Sequence, residues 1–431
     1  MKNVWQKAKE EIISNPFVSL ITLTLIVIPL HYRYSSISLI LLVLYSILQI
    51  PKKQFFFQKN LILPILLYVI MLFSMLWTIN FKSSSQALIK EISLLLIPLS
   101  FFLNPVLLKE EKDKIIKYYS YSIFVYTLFC LLKALVQFGV TKKTEMFFYH
   151  ELVSFDVNAI HVSIYVSIAF FAFFLKKSKT VLDKFAISTL LIFMFLLSSK
   201  NIIIVFTLLL VLCLFTVLKI KVRKNKMYLV ILSTLVIGIL FYGKIKERFL
   251  IEIDSNKTEN SINNQISTAN GLVYNVSIKD AWTKEKFQAN DYFPGTALRV
   301  YQVRIFKELI QDDKSVFFTG YGLNATYAKI EQKSIEHNLY TAYGKFNFHN
   351  QYIQIFAELG VFGFILLVLL LGVNLKNAIK SKHFIHFSFA ILMISLFLTE
   401  SFLSRQRGIV FFTIMYCLFN SGIVKNHSIK E

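Results

Sequence analysis

The chain has 431 residues, 55% of them hydrophobic and 16% aromatic, with a mean hydropathy of +0.58. That is more apolar surface than a water-soluble core of this length can use, which excludes an ordinary soluble protein and marks a membrane protein. The formal charge of +22 would point to nucleic acid in a soluble chain, but here much of it flanks apolar runs, where anionic lipid headgroups are the partner and no nucleic acid is expected.

Stretches such as Leu61 to Trp77, Ile202 to Leu218 and Ile353 to Val373 approach the roughly 17 to 25 apolar residues that cross about 30 Å of hydrocarbon. Their even apolarity fits helices and not the alternating strands of a barrel. The expected fold is all-α and polytopic, with about twelve spans near 17–31, 36–50, 61–78, 86–103, 119–139, 158–175, 181–197, 202–218, 227–243, 353–373, 383–400 and 407–422. The first follows charged residues, as a signal peptide would, but has no small-residue cleavage site and is expected to remain as a span. With the N-terminus cytoplasmic, inner loops and tails carry roughly 24 Lys and Arg, including KVRKNK and KKSK, against about 8 in the short outer loops. Cys130, Cys213 and Cys417 fall inside expected helices without CxxC spacing, as small apolar residues.

Three regions follow: residues 1–243 with nine spans, 244–352 as one large outer loop, and 353–431 with three spans and a tail. A loop of such length signals function or disorder. Its first part, DSNKTENSINNQISTANG, is polar and expected to move. Its second part, PGTALRVYQVRIFKELIQDDKS, offers Thr296 as an N-cap, then Leu298, Tyr301, Ile305 and Leu309 at helical spacing, so a short amphipathic helix is expected. Arg299 would then occupy the third helical position, where an anion is favoured; a phosphate at the helix end would remove the conflict, and a solvent-facing arginine is the plainer alternative. FFTGYGLNA turns at Gly320 and Gly322.

FHNQYIQIFAELGVFGF, residues 348–364, places a histidine and an asparagine before the next apolar run. Asn350 is expected to cap that helix, with His349 just outside its first turn and Tyr352, Phe356 and Leu359 on one face. Gly360 and Gly363 are expected to allow a close helix contact. Glu358 lies two turns down toward hydrocarbon, where a carboxylate needs a partner or a wet cavity. His349 has the chemistry of a proton acceptor at neutral pH, and equally that of an interfacial anchor. His337 in EHNLY repeats part of the pattern without an apolar run, and the two histidines lack metal-ligand spacing, so no metal is expected.

These features together resemble the O-antigen ligase and polymerase superfamily, chiefly over Arg299 to Asn324, Phe348 to Phe364 and the last outer loop, TESFLSRQRGIVFF at 399–412. The resemblance implies a glycosyltransferase, with neither metal nor other cofactor, that uses an undecaprenyl-diphosphate-linked glycan at the periplasmic face of the bacterial inner membrane. It implies His349 as the base on the acceptor hydroxyl and Arg299 as a diphosphate ligand. Asn350, Tyr352 and Glu358 belong to the matched string. The family's Ser-Arg pair is SSKN here, so Lys200 stands where an arginine is usual. A lysine is a point charge without the guanidinium fork, and Lys200 is either sufficient, or replaced by Arg405 or Arg407, or a snorkelling interfacial residue. Glu400 is placed where Arg405 would neutralise it; Lys133 and His161 are weaker candidates. The acceptor is expected to be lipid A core, as in a ligase. A polysaccharide polymerase, a lipid-linked glycan transporter and an inactive relative are the alternatives.

Overall fold

A computed structural model describes residues 15–50, 55–154, 156–217, 261–263, 266–267 and 271–422. The span expected near 227–243, the KVRKNK run and much of the polar first part of the loop lie outside the described residues. The helices, in chain order, are α1 Pro16–Ile26, α2 Tyr32–Ile47, α3 Ile62–Phe73, α4 Phe81–Glu91, α5 Ser93–Leu103, α6 Lys109–Thr141, α7 Tyr149–Leu152, α8 Ala159–Phe174, α9 Val181–Leu196 and α10 Lys200–Thr216. The outer loop adds α11 Ile278–Thr283, α12 Gly295–Asp312, α13 Val316–Thr319 and α14 Tyr327–Glu336, and the chain ends with α15 Gln351–Ser381, α16 Phe384–Phe397 and α17 Gln406–Asn420. Three two-residue strands, β1 Ser261–Ile262, β2 Tyr274–Asn275 and β3 Asp291–Tyr292, form one small sheet in the loop, β1 antiparallel and β2 parallel to its neighbour.

The fold is all-α, and the chain is a multi-pass membrane protein. Four stretches, Lys59–Leu76, Phe81–Leu103, Lys109–Thr141 and Gln351–Ser381, are long and apolar enough to cross a bilayer. The other apolar helices have 10–17 residues, so twelve crossings remain an expectation from hydropathy. On α6, Val125, Phe129, Leu132 and Val136 recur at spacings of four, three and four and are 57 to 68% exposed, an apolar stripe turned to lipid. By contrast α17 is buried at every residue from Arg407 to Asn420; a helix apolar on all sides belongs at the centre of a bundle.

The outer loop has its own core. Tyr301, Ile305 and Leu309 of α12 are buried as their spacing predicts, and Phe287 and Phe293 pack their rings on Tyr301 at 5.7 and 5.1 Å. The start of α12 corrects the expectation: Pro294 is the N-cap and Gly295 the first helical residue. Proline already has the φ suited to a helix entrance, so the helix begins before Thr296, and Arg299 sits at the fifth position instead of the third.

The largest departure is inside α15. Gly360 allows the close contact expected of it, with the backbone of Phe318 and Thr319 in α13, and it also breaks the helix, with φ 66° and ψ −166°. The break frees carbonyls that would otherwise accept from the next turn, and the outer loop uses them: Tyr321 N–H donates to Ala357 O and Gly322 N–H to Glu358 O, both at 2.9 Å. The same turn is held from the other side, where Trp77 Nε1 donates to Thr319 O (2.9 Å), Ser84 Oγ to Leu323 O (2.6 Å) and Ser83 Oγ to Asn324 O (2.9 Å). The Gly-Tyr-Gly turn is thus a plug seated in a broken helix, with its backbone polar groups paired, as low-dielectric surroundings require. A Cβ at Gly360 would lie 2.0 Å from Phe318 O, and one at Gly320 2.3 Å from Glu358 C. Gly360→Ala is expected to cost on the order of 4 kcal/mol from strain plus overlap. A thermal unfolding midpoint equal to wild type in detergent would show that the plug does not need this glycine.

Candidate active site

The polar residues of the 348–364 string are mostly committed to neighbouring backbone. Asn350 Oδ1 accepts from Tyr352 N and Ile353 N at 3.0 and 3.1 Å, capping α15, while its Nδ2 donates to Leu398 O at 3.2 Å. Gln351 Oε1 accepts from Leu403 N (2.7 Å), and Gln354 Oε1 from Phe348 N (3.2 Å). Tyr352 donates its phenol to Ile394 O at 3.0 Å. Glu358, only 2% exposed, accepts from Gln354 Nε2 at 2.5 Å and from the Asn324 backbone. Asn350, Tyr352 and Glu358 therefore fasten α16, its C-cap and the plug to α15, and none of them lines the cavity that receives His349. Within the string, His349 alone lines it.

That cavity, about 590 Å³, is walled by Ser198, Ser199, Lys200 and Asn201 at the head of α10, by Pro294 to Thr296 and Arg299 at the head of α12, and by His349, Thr399 and Glu400. Among the described residues, neither N-cap residue, Ser199 of α10 nor Pro294 of α12, makes a side-chain cap hydrogen bond. Two helix ends with uncapped N–H groups therefore open on one space, each carrying partial positive charge. Arg299 reaches across it. Its Nε and Nη2 both donate to Thr399 O, at 3.2 and 3.0 Å, and its Nη1 donates to Gly295 O at 2.8 Å. A guanidinium has five N–H donors; with three spent in this way, two remain on the terminal nitrogens.

Sequence reasoning missed Asn201 and Thr399. Asn201 Nδ2 donates to Ser395 O and to Thr399 Oγ1, both 2.9 Å, and its Oδ1 accepts from Ser395 Oγ at 2.8 Å. Thr399 thereby joins Asn201 to Arg299, and only its place beside Glu400 in TESF hinted at this. Asn201→Ala is expected to lower stability by roughly 1 kcal/mol, since partly buried donors and acceptors lose their partners; thermal unfolding in detergent measures it, and an unchanged midpoint refutes the joint.

His349 has φ 43°, a left-handed conformation uncommon for a non-glycine residue and a form of strain that gathers at functional sites. Its N–H donates to Asn347 Oδ1 at 3.0 Å, and this tight turn directs the ring to the cavity, edge-on to Phe346 at 5.7 Å. Nδ1 lies 3.7 Å from Glu400 Oε1. The acid expected to pair with Arg405 is therefore the neighbour of His349: the turn after α16 brings it under the imidazole. Burial raises the Glu400 carboxyl, but His349, His161 and Arg299 outweigh that and hold it below the usual carboxylate value. It is the anion of the site.

Arg405 and Arg407 line a separate cavity, with His161. His161 packs on Phe402, ring centres 4.5 Å apart. Lys133 is committed elsewhere, donating to the carbonyls of Glu151 and Val153 at 2.8 and 2.5 Å. Of the residues singled out by sequence, the structure gathers Lys200, Arg299, His349 and Glu400 in one place.

Residues 185–368 match the O-antigen ligase (Wzy_C) family model. The O-antigen ligase domain so defined begins in α9 and ends within α15, so it contains Lys200, Arg299, His349 and the plug, while Glu400 comes from beyond it. The family comprises membrane glycosyltransferases of the O-antigen ligase and polymerase type, which implies lipid-linked glycan substrates in general. No curated protein matches the chain.

Proposed function

We propose that the chain transfers a glycan from undecaprenyl diphosphate to an acceptor hydroxyl at the periplasmic face of the bacterial inner membrane, and that it is a ligase whose acceptor is lipid A core. The observation that carries this reading is one cavity holding an imidazole backed by a carboxylate, an arginine, a lysine and two uncapped helix ends. The cations and helix ends receive the diphosphate, whose charge grows as the anomeric C–O bond breaks. His349 Nε2 takes the proton of the attacking hydroxyl as the new glycosidic bond forms. Glu400 faces Nδ1 and stabilises the resulting imidazolium; closing the 3.7 Å gap by roughly 1 Å makes that contact a hydrogen bond. Direct displacement inverts the anomeric centre, and the reaction so written requires no metal.

A transporter would show a helix interrupted within the membrane, and α15 is interrupted. Its freed carbonyls, however, accept from Tyr321 and Gly322 of the same chain, so the interruption already serves to seat the plug. The test is a deletion strain examined for surface glycans, alongside the purified protein given a lipid-diphosphate glycan. Full-length polymer stranded on the carrier, with glycosidic transfer restored by the protein, is the ligase outcome. Single capped repeat units would make it a polymerase, and glycan movement without a new glycosidic bond would overturn the transferase reading.

A further inference from the structure

A second cavity, about 420 Å³, lies on the far side of the 399–405 turn, walled by Tyr32, Lys90, Asn158, His161, Arg405 and Arg407. The chemistry above does not use it. Its one acidic lining residue, Asp156, is paired through its carboxylate with His31 at 3.3 Å. Three cations therefore face a space lined by one carboxylate. Arg407 is the most telling of them. It is 8% exposed, lines the cavity, donates through Nη1 to Asp156 O, and among the described residues has no hydrogen-bond partner for Nε and Nη2, which are closed to solvent in this conformation. Nε and Nη2 form the edge of a guanidinium that grips two oxygens of one oxyanion in parallel. A buried charged group with that edge unspent is costly unless something binds to it.

The two cavities meet at one wall. Ile160 lines the first and its neighbour His161 the second, and His161 and Glu400 act on each other electrostatically. A nucleophile must approach the anomeric carbon from the side opposite the departing diphosphate.

We propose that the cavity walled by Arg405 and Arg407 is a second oxyanion site, which holds a phosphate or carboxylate group of the acceptor and so orients its hydroxyl toward His349. The assignment of the anion to an acceptor rests on the transferase reading; the existence of the site does not. The probes are N-acetylglucosamine 6-phosphate for this cavity and geranyl diphosphate for the first, titrated into the full-length protein in phosphatidylcholine nanodiscs. Both are expected to bind at once. Arg407→Gln should weaken the sugar phosphate by roughly 10-fold or more and leave geranyl diphosphate unchanged, while Arg299→Gln does the reverse. Arg405→Gln, at an exposed position, gives a second variant should Arg407→Gln lower the thermal midpoint.

Equal binding of uncharged N-acetylglucosamine, competition between the two probes, or indifference to both arginine substitutions would overturn the proposal. So would loss of sugar-phosphate binding when phosphatidylglycerol replaces phosphatidylcholine at constant ionic strength, which would give the cavity to lipid headgroups. Failure of geranyl diphosphate alone, with arginine-dependent sugar-phosphate binding intact, would strike the transferase reading and leave the second site standing.

Discussion

Replacing His349 with alanine is expected to lower glycan transfer by roughly 10²- to 10⁴-fold, the usual contribution of a positioned general base, with membrane insertion retained. The side chain is 26% exposed, edge-on to Phe346 and 3.7 Å from Glu400, so a thermal unfolding midpoint is measured beside the activity. The backbone is the complication, because φ 43° strains alanine as it strains histidine. Asparagine tolerates that region better, so His349→Asn isolates the loss of the base from any loss of the turn. Both variants should lose transfer alike, and wild-type turnover in either would remove the imidazole from the chemistry. Glu400→Gln keeps the shape of its side chain and removes the charge, and about a 10-fold fall in kcat with KM retained is expected. The sign with pH follows from the depressed carboxyl of Glu400. What its charge contributes is fully present above the ordinary unfolded value and is lost only as pH falls through the lower folded one. Activity in the neutral range should therefore not titrate with Glu400, and a loss assigned to this carboxyl near neutrality by isotope-edited infrared spectroscopy would contradict that.

Much of the architecture was legible because lipid enforces a simple rule. Apolar runs of helical length mark helices, and the helices observed at Ala159–Phe174, Val181–Leu196 and Gln406–Asn420 lie within a residue or two of the runs that suggested them. The amphipathic spacing of α12 identified its buried face for the same reason. The break at Gly360 was not legible, since glycines in an apolar run signal a close approach, which α13 makes here, but not a change of backbone direction; that shows only in the pairing of Ala357 and Glu358 carbonyls with a turn some 35 residues upstream. Likewise Asn350, Tyr352 and Glu358 belong to a recognisable string, but they reach backbone atoms distant in sequence, in α16, at its C-cap and in the plug, and sequence carries no signal for those. Glu400 was noticed and given the wrong neighbour. The arginine five residues on is close in sequence, but the turn through Phe402 sends it to another cavity and leaves His349, brought by α15, as the nearer partner.

Replacing Arg299 with lysine is expected to lower transfer by roughly 10²- to 10³-fold, the cost of losing one donor aimed at developing charge, although the formal charge is kept. The reason lies in how its donors are divided. Three N–H groups hold Thr399 O and Gly295 O, and those bonds fix the direction of the remaining donors on the terminal nitrogens. A lysine has one nitrogen on a flexible stem and cannot hold both carbonyls and an oxyanion in a fixed plane. Two effects must then be separated. If Arg299 serves only as a clamp, Arg299→Lys and Arg299→Gln should destabilise equally, by roughly 1 to 3 kcal/mol for the unpaired carbonyls, and the KM for the lipid-diphosphate donor should not move. If it also grips the diphosphate, donor KM rises in both variants, more in glutamine than in lysine, because lysine retains the charge. Lys200 provides the complement: it opens α10 on the same cavity, and Lys200→Arg in the Arg299→Lys background offers the diphosphate a fork from the other helix. Partial recovery of donor KM there, without recovery of the thermal midpoint, would assign the fork to phosphate and the clamp to the fold; no recovery of KM would leave Arg299 as the only residue placed to grip it.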